Sequence, residues 1–278
     1  MAIILSTFLR GYRGKTTDFA LTSQHHRTIV AHFLNQGKWN DFLFQDALRN
    51  SVAYLIYREA TISGQPIFCI VDDTIASHTK LSSQALHPIE AAYFHQSHLK
   101  GCQDYGHQVV SVMLSCNGIT LNYAVILYDK SRSKIQIVQE IAEELPAAPV
   151  ISYFLCDSWY TKQNLVCIVN EYPNLDLIGN ARIDSVMYDL APAHTGRRGR
   201  PAKHGKRLSV ETDFTFSGEK IGDYYTGVRR VFTRIFGNQE VLAYVTATEK
   251  EHGKKRLFSV RFFQKNCRFS VHGRKKHH

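Results

Sequence analysis

Residues 66–80 read PIFCIVDDTIASHTK. Within them Ile67, Phe68, Cys69, Ile70 and Val71 have strand length and β-branched or aromatic character, with no polar alternation. A run of this kind reads as a strand buried on both faces, which constrains the fold to a sheet with cover on two sides. It ends in two adjacent carboxylates, Asp72 and Asp73. A carboxylate at the end of a buried strand loses hydration, so something positive or hydrogen-bonding must compensate. Two readings are open: a strand-end turn, for which Asp-Asp-Thr is good chemistry, and a metal ligand on a rigid strand. The pattern recurs in VISYFLCD, residues 150–157, which again runs apolar into a carboxylate, Asp157.

The segments around these two strands set the architecture. Residues 1–62 read as a helical N-terminal segment. HHRTIVAHFLNQG places Ile29, Val30, Phe33 and Leu34 on one face and stops at Gly37. DFLFQDALRNSVAYLIYREA does the same with Phe44, Leu48, Val52, Leu55 and Ile56. After the first apolar strand, GHQVVSVMLSC and ITLNYAVILYD flank Asn117-Gly118, a strong hairpin signal, which predicts a three-stranded antiparallel meander. SKIQIVQEIAEEL then switches to helical period, with a Ser133…Gln136 capping box, apolar Ile137, Val138, Ile141 and Leu145, and Pro146 and Pro149 as terminators. Following the Asp157 strand come a helical stretch, TKQNLVCIVNEY, and a strand, LDLIGNARI. The order βββ-α-β-α-β predicts an α/β fold with a mixed sheet and helical crossovers. Residues 191–207 form a Pro/Gly/basic loop, and two further strand-like runs, GVRRVFTRIFG and EVLAYVTAT, follow it. The expected division is a helical segment at 1–62, a core at 63–258 with an insertion around 190–250, and a basic tail at 259–278.

Composition narrows the class. Of 278 residues, 44% are hydrophobic and 21% charged, values of a globular protein with ample core. No apolar run is long enough to span a bilayer, and the opening MAIILSTFLR is too short in its apolar part for a signal peptide. A cytoplasmic protein without a membrane partner is expected. The six cysteines (69, 102, 116, 156, 167 and 267) are scattered with no CxxC pair, as expected of reduced thiols. A formal charge of +10 favours a polyanionic partner.

If the strands ending at Asp72 and Asp157 are parallel neighbours, their carboxylates meet at one sheet edge, where sites of open α/β sheets collect. Two hard carboxylates there suit Mg²⁺ and, through it, phosphodiester chemistry. VDDT, SHLKGCQDYGHQVVSVML, CDSWYTK and LIGNARI together resemble the DDE transposases of bacterial insertion sequences, whose catalytic core is ribonuclease-H-like. The resemblance covers roughly residues 20 to 258 and keeps the order of motifs. It implies a Mg²⁺- or Mn²⁺-dependent nuclease and strand transferase acting on DNA at transposon ends, with a homodimer as one assembly. The family's D-x-T pattern selects Asp72 as the first catalytic, metal-binding aspartate, leaves Asp73 as an accessory candidate, and assigns the second to Asp157. The third acid of the family, a glutamate in a Tyr-x-x-Arg-x-x-x-Glu pattern, has no counterpart in this sequence. Glu240, Glu249 and Glu251 lie in or beside strand-like runs. The stretch FFQKNCRFSVHGRKKHH has no helical period and no acid, and reads either as a shifted frame or as a natural basic tail. The expectation is a DNA-binding protein with an incomplete catalytic set; the alternative is a non-catalytic transposase remnant. An aspartyl phosphatase fits less well, because its second aspartate would fall at Thr74.

Other residues bear on DNA binding. Residues 194–207 carry Arg197, Arg198, Arg200, Lys203, Lys206 and Arg207 with no acid, which suits phosphate contact. RGRP at 198–201 resembles an AT-hook core. Tyr160 and Lys162 follow the second aspartate and are placed either to touch phosphate or, for Tyr160 with Trp159, to pack under the active edge. His95, His98 and His107 gather near Cys102, but at no standard zinc spacing.

Overall fold

The computed structural model describes residues 16–38, 40–82, 89–97, 100–161, 165, 175–193, 200, 202–233, 239–249 and 255–261. The chain divides into two compact units, 1–47 and 48–278. In the first, helices α1 (Thr16–Ser23) and α2 (Arg27–Gln36) are joined by a short turn. The His26 side chain accepts from the Thr28 N–H at the start of α2, and the Gly37 N–H donates to the Phe33 carbonyl at its end. Of the apolar face expected on α2, Val30 is buried, while Ile29, Phe33 and Leu34 are exposed.

The division falls inside α3 (Asp41–Ser63). Its C-terminal part belongs to the core of the second unit through Val52, Ala53, Ile56 and Ala60. This face is rotated from the one read in the sequence, and Leu48 and Leu55 stay exposed.

Among the described residues, the second unit is built on a mixed sheet of eleven strands. β1 (Ile67–Ser77) lies antiparallel to β3 (Cys102–Cys116), with Asp72 opposite Ser111. β3 turns through Asn117 and Gly118 into β4 (Ile119–Tyr128). Both turn residues have positive φ, 49° and 79°, as a two-residue hairpin with the strands' own twist requires. The expected meander is therefore present, with one addition: a short strand, β2 (Tyr93–Ser97), pairs with the first residues of β3. Helix α4 (Lys134–Glu143) follows, and both hydrogen bonds of the Ser133–Gln136 capping box form. It buries Ile137, Val138, Ile141 and Ala142. β5 (Ser152–Cys156) and β6 (Leu175–Ala181) run parallel to β1. The helical stretch expected at 161–172 lies outside the described residues, apart from Thr161 and Leu165.

One face of the central strands is fully buried, through Ile67, Cys69 and Val71 on β1, Val110, Val112 and Leu114 on β3, and Phe154 on β5. Phe68, Ile70, Tyr153 and Leu155 on the other face are partly buried among the described residues, with the Phe68 and Tyr153 rings stacked 5.8 Å apart. Beyond β6 the sheet continues with β7 (Met187–Tyr188), β8 (Arg207–Leu208), β9 (Tyr225–Thr233), β10 (Gln239–Ala247) and β11 (Lys255–Arg261). The complete order is β2-β3-β1-β5-β6-β11-β10-β9-β7-β8, with β4 also on β3. The run around 190–250 read as an insertion thus extends the same sheet, entering it where β11 pairs antiparallel with β6. Among the described residues no helix is long and apolar enough to cross a membrane.

Candidate functional site

The parallel pairing of β1 and β5 ends at Val71 beside Cys156. Asp72 and Asp157 come next, side by side where that pairing stops: Asp157 follows the end of β5, whereas β1 runs on to Ser77 paired with β3, so the strand-end turn read at Asp72-Asp73 does not form. Alternation along β1 directs the Asp72 side chain toward the face of Ile70, and Asp157 opens the turn that follows β5. Each is exposed, and each has one oxygen anchored by backbone N–H groups. Asp72 Oδ1 accepts from the Asp73 N–H at 2.8 Å. Asp157 Oδ1 accepts from the N–H of Trp159 at 2.9 Å and of Tyr160 at 3.2 Å. The turn after Asp157 is closed by the Thr161 N–H and hydroxyl, both donating to the Asp157 carbonyl. Gly179 on β6 permits this closure, because a Cβ there would stand 2.6 Å from Thr161 Oγ1.

Asp73 faces the other way. Alternation along β1 turns it to the face of Cys69 and Val71, where it accepts from three side chains. These are Gln108 Nε2 from β3, Lys134 Nζ at 2.9 Å from the start of α4, and the Tyr160 hydroxyl at 2.9 Å. Asp73 and Lys134 are both mostly buried, and Lys134 Nζ also sits 4.4 Å from the centroid of the Trp159 ring. Tyr160 is fully buried. Burial foremost, and then the Asp73 carboxylate with Asp157 and Asp72 further off, holds its phenol above the ordinary tyrosine range, so it acts as a donor. This geometry favours the packing alternative for Tyr160 over contact with phosphate.

Lys134 and Gln108 escaped the sequence reading, although Lys134 left a trace. A lysine directly after an N-cap stands at the positive end of the helix dipole, which disfavours a cation unless a carboxylate lies near. Asp73 is that carboxylate. Nothing in the local sequence marks Gln108.

The two aspartates fit a hard cation as a partial ligand set. Asp72 Oδ2 and Asp157 Oδ2 make no hydrogen bond among the described residues and are open to a Mg²⁺ or Mn²⁺ ion. Among the described residues there is no group of three or more His, Cys, Asp and Glu side chains placed to hold a metal. Glu240 lies within β10 and Glu249 just after it, both exposed; Glu251 lies outside the described residues. His95 is buried, His107 is hydrogen-bonded to His78 and to the Glu90 carbonyl, and His98 lies outside the described residues.

The basic loop is closed at its base. β7 pairs with β8, the Asp189 N–H donates to the Lys206 carbonyl, and the Gly205 N–H donates to the Asp189 carbonyl, each at 2.8 Å. His204 stacks on Tyr188 with ring centroids 3.8 Å apart. Arg200, Lys203 and Arg207 are exposed and form no ion pair among the described residues. Lys206 is exposed too, but pairs with Asp213 at 2.8 Å, which lowers the Asp213 carboxyl below its usual range. Arg197, Arg198 and Lys162, as well as most of the RGRP motif, lie outside the described residues. No protein-family model matches the chain, and no curated protein matches it.

Proposed function

We propose that this chain is a transposase-type DNA-binding protein of the DDE class with an incomplete catalytic set. The observation that carries the reading is that Asp72 and Asp157 each stand one residue beyond Val71 and Cys156, the last paired residues of neighbouring parallel strands. The surrounding order supports a ribonuclease-H-like core: an antiparallel β1–β3–β4 group, then α4, then β5 and β6 parallel to β1. Asp72 and Asp157 would hold Mg²⁺ or Mn²⁺. Such an ion, when bound, supplies Lewis-acid stabilisation of charge on phosphodiester oxygens. The protein's own part is to fix the two carboxylates through backbone N–H groups and to offer cations to the DNA backbone. For the latter, Arg200, Lys203 and Arg207 are exposed on the strapped loop. Transposon ends would be the DNA bound, by one chain or by a homodimer.

Catalysis of strand cleavage needs a further acid, and the absent Tyr-x-x-Arg-x-x-x-Glu pattern favours binding without cutting. The test measures binding of duplex DNA over a salt series, and nicking of supercoiled plasmid with Mg²⁺ or Mn²⁺ by the wild type and Asp72→Ala. Salt-sensitive binding with no nicking above the variant is expected. Nicking by the wild type that disappears in Asp72→Ala would show a complete catalytic set. Absence of binding at low salt would remove the DNA reading altogether.

A further inference from the structure

We infer that Tyr160, with Asp73, is a positioning strut that fixes the separation and orientation of Asp72 and Asp157. The inference rests on the reading of those two aspartates as one metal site, and extends it to the buried side of the sheet. Tyr160 touches both acids' supports at once. Its backbone N–H donates to Asp157 Oδ1 at 3.2 Å, while its hydroxyl, at the far end of a rigid ring, donates to Asp73 Oδ1 at 2.9 Å. Asp73 in turn supplies the backbone N–H that anchors Asp72 Oδ1. One continuous chain of contacts therefore runs from the Asp72 carboxylate through Asp73 and Tyr160 to the Asp157 carboxylate. Lys134 and Gln108 hold the middle of it from α4 and β3.

The chemistry suits the role. The ladder between β1 and β5 stops at Val71 and Cys156, so although β3 still pairs with Asp72 and Asp73, no backbone pairing ties either of them to Asp157. The tyrosine ring spans the gap with only two rotatable bonds, and full burial locks them. The Asp73 carboxylate takes donors from three elements, so it stays in place whichever way the exposed face is loaded. The Tyr160 ring lies wholly inside the protein and would not touch metal or DNA. Its effect on either would pass through Asp72 and Asp157, as with residues behind a metal's own ligands.

Tyr160→Phe removes one oxygen, keeps the ring and changes no charge. Any change in metal affinity is then geometric, not electrostatic. Two measurements on the full chain separate the questions. Hydrogen exchange reports the N–H groups of Trp159 and Tyr160 without any metal, and Mn²⁺ titration followed by electron paramagnetic resonance reports the site itself. In Tyr160→Phe, exchange across residues 158–161 should speed up while that of β3 is unchanged. Mn²⁺ should bind about 10-fold more weakly, the lower end of losses when a ligand's support is removed. Asp72→Asn should abolish Mn²⁺ binding. Unchanged exchange at 158–161 would overturn the strut. Faster exchange with Mn²⁺ affinity unchanged would overturn its role in positioning the acids. Mn²⁺ binding to Asp72→Asn as tight as to the wild type, or none to either, would overturn the metal site, with the exchange result still deciding the strut. If Tyr160→Phe does not fold, Asp73→Asn keeps one acceptor for the hydroxyl while giving up the charge. It should then retain exchange protection at 158–161, and losing that protection would count against the strut.

Discussion

Asp72 and Asp73 are the same residue one position apart, and strand alternation alone gives them different surroundings. The first is exposed beside Asp157, and the second accepts from Lys134, Gln108 and Tyr160 on the opposite face. A residue-scale consequence that can be measured lies nearby, at His95. Its ring is buried, and Nε2 has no partner among the described residues. Burial, reinforced by Lys130, lowers its pKa below the usual histidine value of 6.5. With the folded value depressed, the unfolded chain binds the proton more readily. The stability contributed by neutral His95 is complete above the unfolded value, and declines as pH falls through it toward the folded one. The urea midpoint should therefore drop between pH 7.5 and pH 5.5, and His95→Gln should make that drop smaller. An equal drop in the variant would mean that His95 is not the group responsible.

At the scale of elements, local sequence signals worked where the element depends on its own residues. The Ser133–Gln136 capping box and the Asn117-Gly118 turn need only neighbours a few positions away, and both form as read. Ser133→Ala should cost about 1 kcal/mol in urea unfolding, because the Gln136 N–H loses its acceptor at the start of α4. Ser133→Asp, which can still cap, should restore most of the loss; if both variants match the wild type, the cap is not stabilising α4. The face of α3 was not legible in the same way. The amphipathic stripe through Phe44, Leu48, Val52, Leu55 and Ile56 holds at Val52 and Ile56, but the core takes Ala53 and Ala60 and leaves Phe44, Leu48 and Leu55 exposed. β2 was missed for a related reason. YFHQS is short and contains no β-branched residue, and it is a strand because the start of β3 supplies it with a partner.

At the scale of the whole molecule, the continuous sheet carries the two features of the proposed function at separate places. The aspartates lie at the β1–β5 pair inside the strand order, and the cationic loop between β7 and β8 lies at one end of it. The loop's contribution can be isolated. Replacing Arg197, Arg198 and Arg200 together by alanine should weaken binding to all DNA sequences alike. It should also flatten the slope of log affinity against log salt by about one for each phosphate that the loop no longer neutralises. A slope equal to that of the wild type would place the interface elsewhere. Lys206 should matter less than Arg200 and Arg207, which are exposed, since Asp213 already pairs with it.

The sequence by itself determined the apolar runs that lead into carboxylates, the hairpin, the helix cap and the cationic loop. All of these follow from the chemistry of residues a few positions apart. Only the tertiary structure decided that β1 and β5 pair in parallel with Val71 beside Cys156, and so that Asp72 and Asp157 stand side by side. It also decided that Lys134 meets Asp73 across 61 positions of sequence, and that the strands after residue 186 return to the same sheet through β6 and β11. The physical reason is that an apolar run specifies burial but not its partner. Many registers satisfy the same pattern of side chains, and the one adopted is set by hydrogen bonding and packing summed over the whole chain.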